Sequence, residues 1–172
     1  MNMKKLFLAA LMCVICLCSA QAQKFALIDM EYILDRIPAY ETANNELTQL
    51  SQTYQKEVEA KTKEAESLYK AYQNASNLTA AQKTQREEAI VAKEREAAEL
   101  RKKYFGPEGV MVQKQEQLIA PIQDEVYQAV KELAQRYGYD MVIDRASAES
   151  LIFASPNIDI SNQVLSKLGY SN

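Results

Sequence analysis

Residues 40–72 read YETANNELTQLSQTYQKEVEAKTKEAESLYKAY. Their apolar positions, Tyr40, Ala43, Leu47, Leu50, Tyr54, Val58, Ala65, Leu68 and Tyr72, are separated by threes and fours. The step from Val58 to Ala65 is longer, and Lys61 stands where the missing apolar member belongs. Such spacing lines one face of an α-helix and predicts a coiled-coil seam with one local shift of phase. Neither Gly nor Pro occurs from Ala39 to Phe105, so nothing in that span breaks a helix.

Asn74-Ala75-Ser76-Asn77-Leu78 is a turn sequence, and Thr79-Ala80-Ala81-Gln82 fits a capping box at the start of a second helix. That helix is expected from about Ala80 to Tyr104. It is highly charged, with sparse apolar residues at Ile90, Ala97, Leu100 and Tyr104. Two helices of similar length with a short polar joint predict an antiparallel hairpin. At 1.5 Å per residue, an arm of about 36 residues extends roughly 54 Å.

Outward from the hairpin the pattern changes. Phe25-Ala26-Leu27-Ile28 is a short apolar run that suits a buried strand. Helix propensity follows from about Met30, and Pro38 interrupts that helix or opens a new one. On the other side, Phe105-Gly106-Pro107-Glu108-Gly109 is a break, with Gly106 ending one helix and Pro107 opening the next. A third helix carries Leu118, Ile119, Ile122, Val126, Val130, Leu133 and Tyr137 on one side, with a kink expected at Pro121 and a stop at Gly138. Residues Tyr139 to Asp144 and Leu151 to Ala154 read as two further strands, the second ended by Pro156. Asp159 or Ser161 caps a last short helix with Ile160, Val164, Leu165 and Leu168 on its apolar side.

The expected fold class is therefore α+β. A small β-rich body is built from residues 23–38 and 106–172, and residues 39–105 form a long helical arm with its tip near 74–79. Residues 1–22 read as a cleaved signal peptide. Lys4 and Lys5 precede an apolar run from Leu6 to Cys18, and Ser19-Ala20-Gln21-Ala22 supplies the small-x-small site, with cleavage after Ala22. The run of 13 residues falls short of the roughly 20 that span a bilayer core of about 30 Å. Neither Cys16, after Ile15, nor Cys18, after Leu17, has the small-residue context of a lipid anchor.

All 3 cysteines lie inside that leader, and the chain has no His and no Trp. Beyond the leader there is no thiolate, no Ser-His-Asp or Cys-His pair and no usual zinc ligand set. None of the 4 glycines sits in a phosphate-binding loop pattern. No cofactor and no metal is expected. Carboxylate-only catalysis stays formally open, but Asp29, Asp140 and Asp144 each flank a strand, where capping or edge protection explains them more simply. Residues 50–105 hold 11 Lys/Arg and 9 Glu, whereas the rest of the chain after residue 22 holds 7 basic and 14 acidic residues. That balance is not a nucleic-acid footprint.

The two chain ends must meet to build the body, which is near the size below which one core is hard to stabilise alone. Its short strands also expose unpaired edges. Both problems are solved if copies pair around a rotation axis. The expected interface residues are Phe25, Leu27, Met141, Ile143, Leu151 and Phe153. Projecting arms would then enclose a space that holds a nonnative chain through many weak contacts. Tyr54, Tyr69, Tyr72 and Leu78 are the candidate contacts. Packing within the hairpin is the favoured alternative for the tyrosines, and a local staple at the helix start is an equal alternative for Leu78. Arg101-Lys102-Lys103, the basic triplet, reads as a solvated face near a helix C-terminus.

The opening FALIDMEYIL (Phe25 to Leu34), the charged hairpin, GYDMVID (Gly138 to Asp144), LIFAS and the closing DISNQVLSKL (Asp159 to Leu168) together resemble the Skp/OmpH family of periplasmic chaperones. The YFGPEG segment resembles the form found in Bacteroides-like bacteria. The resemblance implies a periplasmic homotrimer with a β-rich body and three helical tentacles around a central cavity. It implies capture of unfolded outer-membrane β-barrel proteins without ATP. Familiar members are strongly basic, whereas this chain is acidic overall, so membrane contact is expected to be weak at most and no lipopolysaccharide site is carried over. The competing reading is a structural or adaptor coiled coil of the envelope that binds one folded partner.

Overall fold

The structure is a computed structural model, and it describes residues 23–170. The leader expected at 1–22 lies outside the described residues. In order, the elements are β1 (Phe25–Ile28), α1 (Met30–Leu34), α2 (Pro38–Gln73), α3 (Ala80–Phe105), α4 (Val110–Tyr137), β2 (Met141–Asp144), a 3-10 turn (Pro156–Ile158) and α5 (Ser161–Leu168). They fall into two compact units. One comprises residues 34–126, and the other residues 23–33 with 127–170.

In the second of these units, β1 pairs in parallel with β2, with Phe25 opposite Met141 and Ile28 opposite Asp144. A parallel pair needs a long crossover, and here the crossover contains the whole hairpin. The other edge of β1 is also occupied, since Leu27 bridges to Asp159 and accepts a hydrogen bond from the Ile160 amide at 2.8 Å. With both edges satisfied, Ala26, Leu27 and Ile28 are buried. Ile33, Ile160 and Val164 are fully buried in the same unit, each contributing about 1.5–3 kcal/mol relative to exposure.

The loops around this small sheet are held by carboxylates. Asp29 caps α1 by accepting from the Tyr32 amide at 3.0 Å. Asp144 accepts from the Met30 amide at 3.0 Å and the Ala146 amide at 3.1 Å. Asp140 accepts from the Lys24 amide at 2.9 Å. Asp29 and Asp144 thus hold amides at the start of α1, and Asp140 holds one just ahead of β1. Burial works to raise the Asp144 carboxyl, but hydrogen bonds from Met30, Ser147 and Ala146 outweigh it and hold the group below its ordinary value. Asp159 accepts from both the amide and the hydroxyl of Ser161, and Gly169, at φ 87°, ends α5 in the left-handed conformation that suits glycine.

The other unit contains the antiparallel hairpin of α2 and α3. The expected capping box is present: the Gln82 amide donates to the Thr79 hydroxyl at 3.3 Å, and the Gln82 side chain accepts from the Thr79 amide at 3.0 Å. Asn77 takes the left-handed conformation in the turn, at φ 61°, which asparagine tolerates better than most residues. Ala43, Val58 and Ala65 of the seam are buried, as are Ile90, Ala97 and Tyr104 facing from α3.

Three expectations need correction. The segment Leu151 to Ala154 is not a strand. Its apolar composition favours extension, but the second edge of β1 is taken by Asp159, and the segment does not pair with the remaining edge of β2. The sheet consequently has 2 strands, so the second unit is less β-rich than expected, and β2 starts at Met141 rather than Tyr139. Pro107 does not open the third helix, which begins at Val110. The residues before it close a tight turn in which the Gly109 amide donates to the Gly106 carbonyl at 2.9 Å. A Cβ on Gly109 would lie 2.7 Å from the Tyr104 carbonyl oxygen, so the turn itself demands glycine there. Pro121 lies inside α4, which continues through it to Tyr137.

Candidate functional site

The hairpin is held by three kinds of layer. At one level, Tyr54 and Tyr104 stack with ring centroids 4.1 Å apart and planes 9° from parallel, and the Tyr104 hydroxyl donates to Glu57. That hydrogen bond pushes the Tyr104 phenol above its ordinary value. Towards the turn, the Tyr72 hydroxyl donates to Glu87, with the same effect on its phenol. The Arg86 guanidinium donates to the Ala71 carbonyl at 3.4 Å.

Between these levels lies a charged layer. Lys61 pairs with Glu64 at 3.2 Å and reaches Glu96 across the hairpin at 3.5 Å. Lys93 pairs with Glu96 at 3.0 Å and reaches back to Glu64 at 3.2 Å. The irregular position in the heptad series is therefore a closed ring of alternating charge. The Lys93 ammonium holds Glu64 and Glu96 below their ordinary values, with Lys61 adding to the effect, and the two carboxylates raise Lys93 in return.

One side of the hairpin carries a groove. Two adjoining depressions, about 400 and 370 Å³, share Thr62 and Arg101. Val58, Ala65, Ala97 and Ala98 supply small apolar walls, Phe105 lies at one end and Tyr69 at the other. Alanines leave the space, because a larger side chain at those positions would fill it. Another hollow is lined by Ala60, Lys63, Glu64, Ser67, Leu68 and Lys93 and carries two lysines. Neither is an enclosed pocket with converging polar groups, the arrangement that marks a small-molecule site.

The candidate contacts expected from sequence separate into two groups. Tyr54 and Tyr72 are held within the hairpin by the contacts above, and Leu78 is half-buried at the turn. Tyr69 is half-exposed and lines the groove. Of the candidate interface residues, Phe25 and Met141 are register partners and both exposed, Ile143 is half-buried, and Leu27 is buried in its own chain. Leu151 and Phe153 lie in the unpaired segment, both exposed. Ile152, absent from the expected set, is 99% exposed. Its position in the apolar run LIFAS was the available signal. The groove residues Ala98, Phe105, Glu66 and Glu94 were also missed, because spacing on one helix does not show which face the second helix leaves open.

Among the described residues the chain thus combines a small parallel sheet with a long antiparallel helical hairpin that carries shallow surface grooves. The family model for outer membrane protein (OmpH-like) matches residues 24–168. The chain belongs to the OmpH-like family, a family of periplasmic chaperones of outer-membrane proteins. No curated protein shows a significant match to the chain. Among the described residues, no helix is long and apolar enough to cross a membrane.

Proposed function

We propose that this chain is an ATP-independent holding chaperone that binds unfolded outer-membrane β-barrel proteins in the periplasm and keeps them from aggregating. It works as a homotrimer, with hairpin arms around the cargo. Its contact with membrane is weak and it has no catalytic role. The observation that carries the reading is the open, shallow, weakly apolar groove along a hairpin whose seam is interrupted by charge. Such walls favour many weak contacts over one tight pocket, and affinity then comes from valency. Family membership supports the same reading. The assembly is supported by Ile152 and Phe153, which are 99% and 81% exposed in one chain. Large apolar side chains that contiguous and that open mark interaction surfaces.

The adaptor reading calls for a continuous apolar seam, and the Lys61 layer and the sparse apolar face of α3 weigh against it. The test is dilution of a urea-unfolded outer-membrane barrel into buffer with the purified chain beginning at Gln23. Suppression of light scattering at stoichiometric chaperone is the expected result. Unchanged aggregation would remove the proposal.

A further inference from the structure

The hairpin groove differs in charge from the neighbouring hollow, and the difference selects an occupant. We propose that the groove takes a short extended peptide segment with alternating apolar side chains and a Lys or Arg at its end, the cation lying between Glu66 and Glu94. This inference deepens the chaperone reading and rests on it.

The groove extends along α2 from Gln55 to Tyr69. At 1.5 Å per helical residue that is roughly 21 Å, the length of about six extended residues. In an extended segment every second side chain points one way, so about three side chains enter the groove. The alanine walls leave room for branched or aromatic groups, and Phe105 and Tyr69 provide apolar contact at the two ends. Alternation of this kind is what the strands of a membrane barrel carry.

Charge sets the polarity of the occupant. Glu66 and Glu94 both line the part of the groove nearest Tyr69. Neither forms an ion pair among the described residues, whereas Glu59, at the other end, is tied to Lys63. Arg101 lines the same depression and Lys63 acts on Glu66, but two carboxylates against one guanidinium leave that end net negative, which favours a cation there and disfavours an anion. In the other hollow Lys63 is paired with Glu59, and Lys93 with Glu64 and Glu96, so that hollow has no such preference. A segment with an acidic end is therefore turned away from the groove.

The probes are two fluorescein-labelled ten-residue peptides alternating leucine and serine, one with lysine at each end and the other with glutamate. Binding to the chain beginning at Gln23 is read by anisotropy at low salt. The lysine peptide is expected to bind roughly threefold more tightly, the scale of one or two exposed charge pairs. The double variant Glu66→Lys, Glu94→Lys should reverse that order. Ala98→Trp, at an exposed position, should fill the groove and weaken both peptides about fivefold, the scale of roughly 1 kcal/mol of lost apolar contact. Circular dichroism of each variant checks that the helices persist. Equal binding of the two peptides, or an order unmoved by Glu66→Lys and Glu94→Lys, overturns the proposal, as does an Ala98→Trp variant that binds like the parent. These outcomes are separate from failure of the chaperone reading, which is scored by barrel aggregation with the unaltered chain.

Discussion

The Lys61 ammonium lies 3.5 Å from the Glu96 carboxylate, joining α2 to α3 at the place where the apolar seam is interrupted. A leucine there would have continued the coiled coil. With Lys93 and Glu64 completing the ring, the middle of the hairpin is held by partly exposed charges, which salt weakens and acid removes.

The pH dependence has a definite sign. Glu64 and Glu96 are held below the ordinary carboxyl value of 4.5 in the folded hairpin. Their contribution is complete above that value and is lost as pH falls through the lowered folded values. Lys93 is held above 10.5, so its contribution is complete below that pH and is lost as pH rises through the raised value. Protection of the amides of residues 58–98, taken relative to their intrinsic exchange rates, should be flat through neutral pH and fall at both extremes. It should also fall in about 1 M salt, where the screening length is near 3 Å. Protection at Tyr54 and Tyr104, held by stacking, should change less. A uniform response along the hairpin would contradict the layered account.

Ser161 ties the start of α5 to the residue that follows β1 in the smaller sheet unit. Its hydroxyl accepts from the Asp29 amide at 2.9 Å and donates to Asp159 at 2.6 Å, and the residue is 4% exposed. Ser161→Ala leaves the Asp29 amide without its partner and should cost about 1–3 kcal/mol. Urea unfolding measures this. A loss under about 0.5 kcal/mol, the range of ordinary surface changes, would show that water replaces the hydroxyl at no cost.

Ile152 and Phe153 do little for one chain and much for the proposed assembly. Substituting both with serine should change the stability of a single chain by no more than about 0.5 kcal/mol. The same change should shift the light-scattering mass from three chains towards one. A variant that keeps the parent's mass would place the interface elsewhere.

Much of this architecture is written locally in the sequence. The seam from Tyr40 to Tyr72, the Thr79–Gln82 box and the strands at Phe25 and Met141 each follow from residue type and spacing. The segment at Leu151 was misread because an apolar run reports a tendency to extend and says nothing of who pairs with it. Pairing is decided by edges, and Asp159 and Ile160 had already claimed the second edge of β1. The groove was illegible for a related reason. Only the rotation of α3, set by burial of Ile90, Ala97 and Tyr104, decides that Ala98 and Phe105 line an open face while Val91 stays 60% exposed.

The most direct test of the whole account is the solution mass of the chain beginning at Gln23, measured by light scattering with and without a urea-unfolded barrel protein. The account predicts a mass of three chains alone and a discrete complex of three chains with one barrel after mixing. A single chain that forms no complex, while the barrel precipitates beside it, would contradict it.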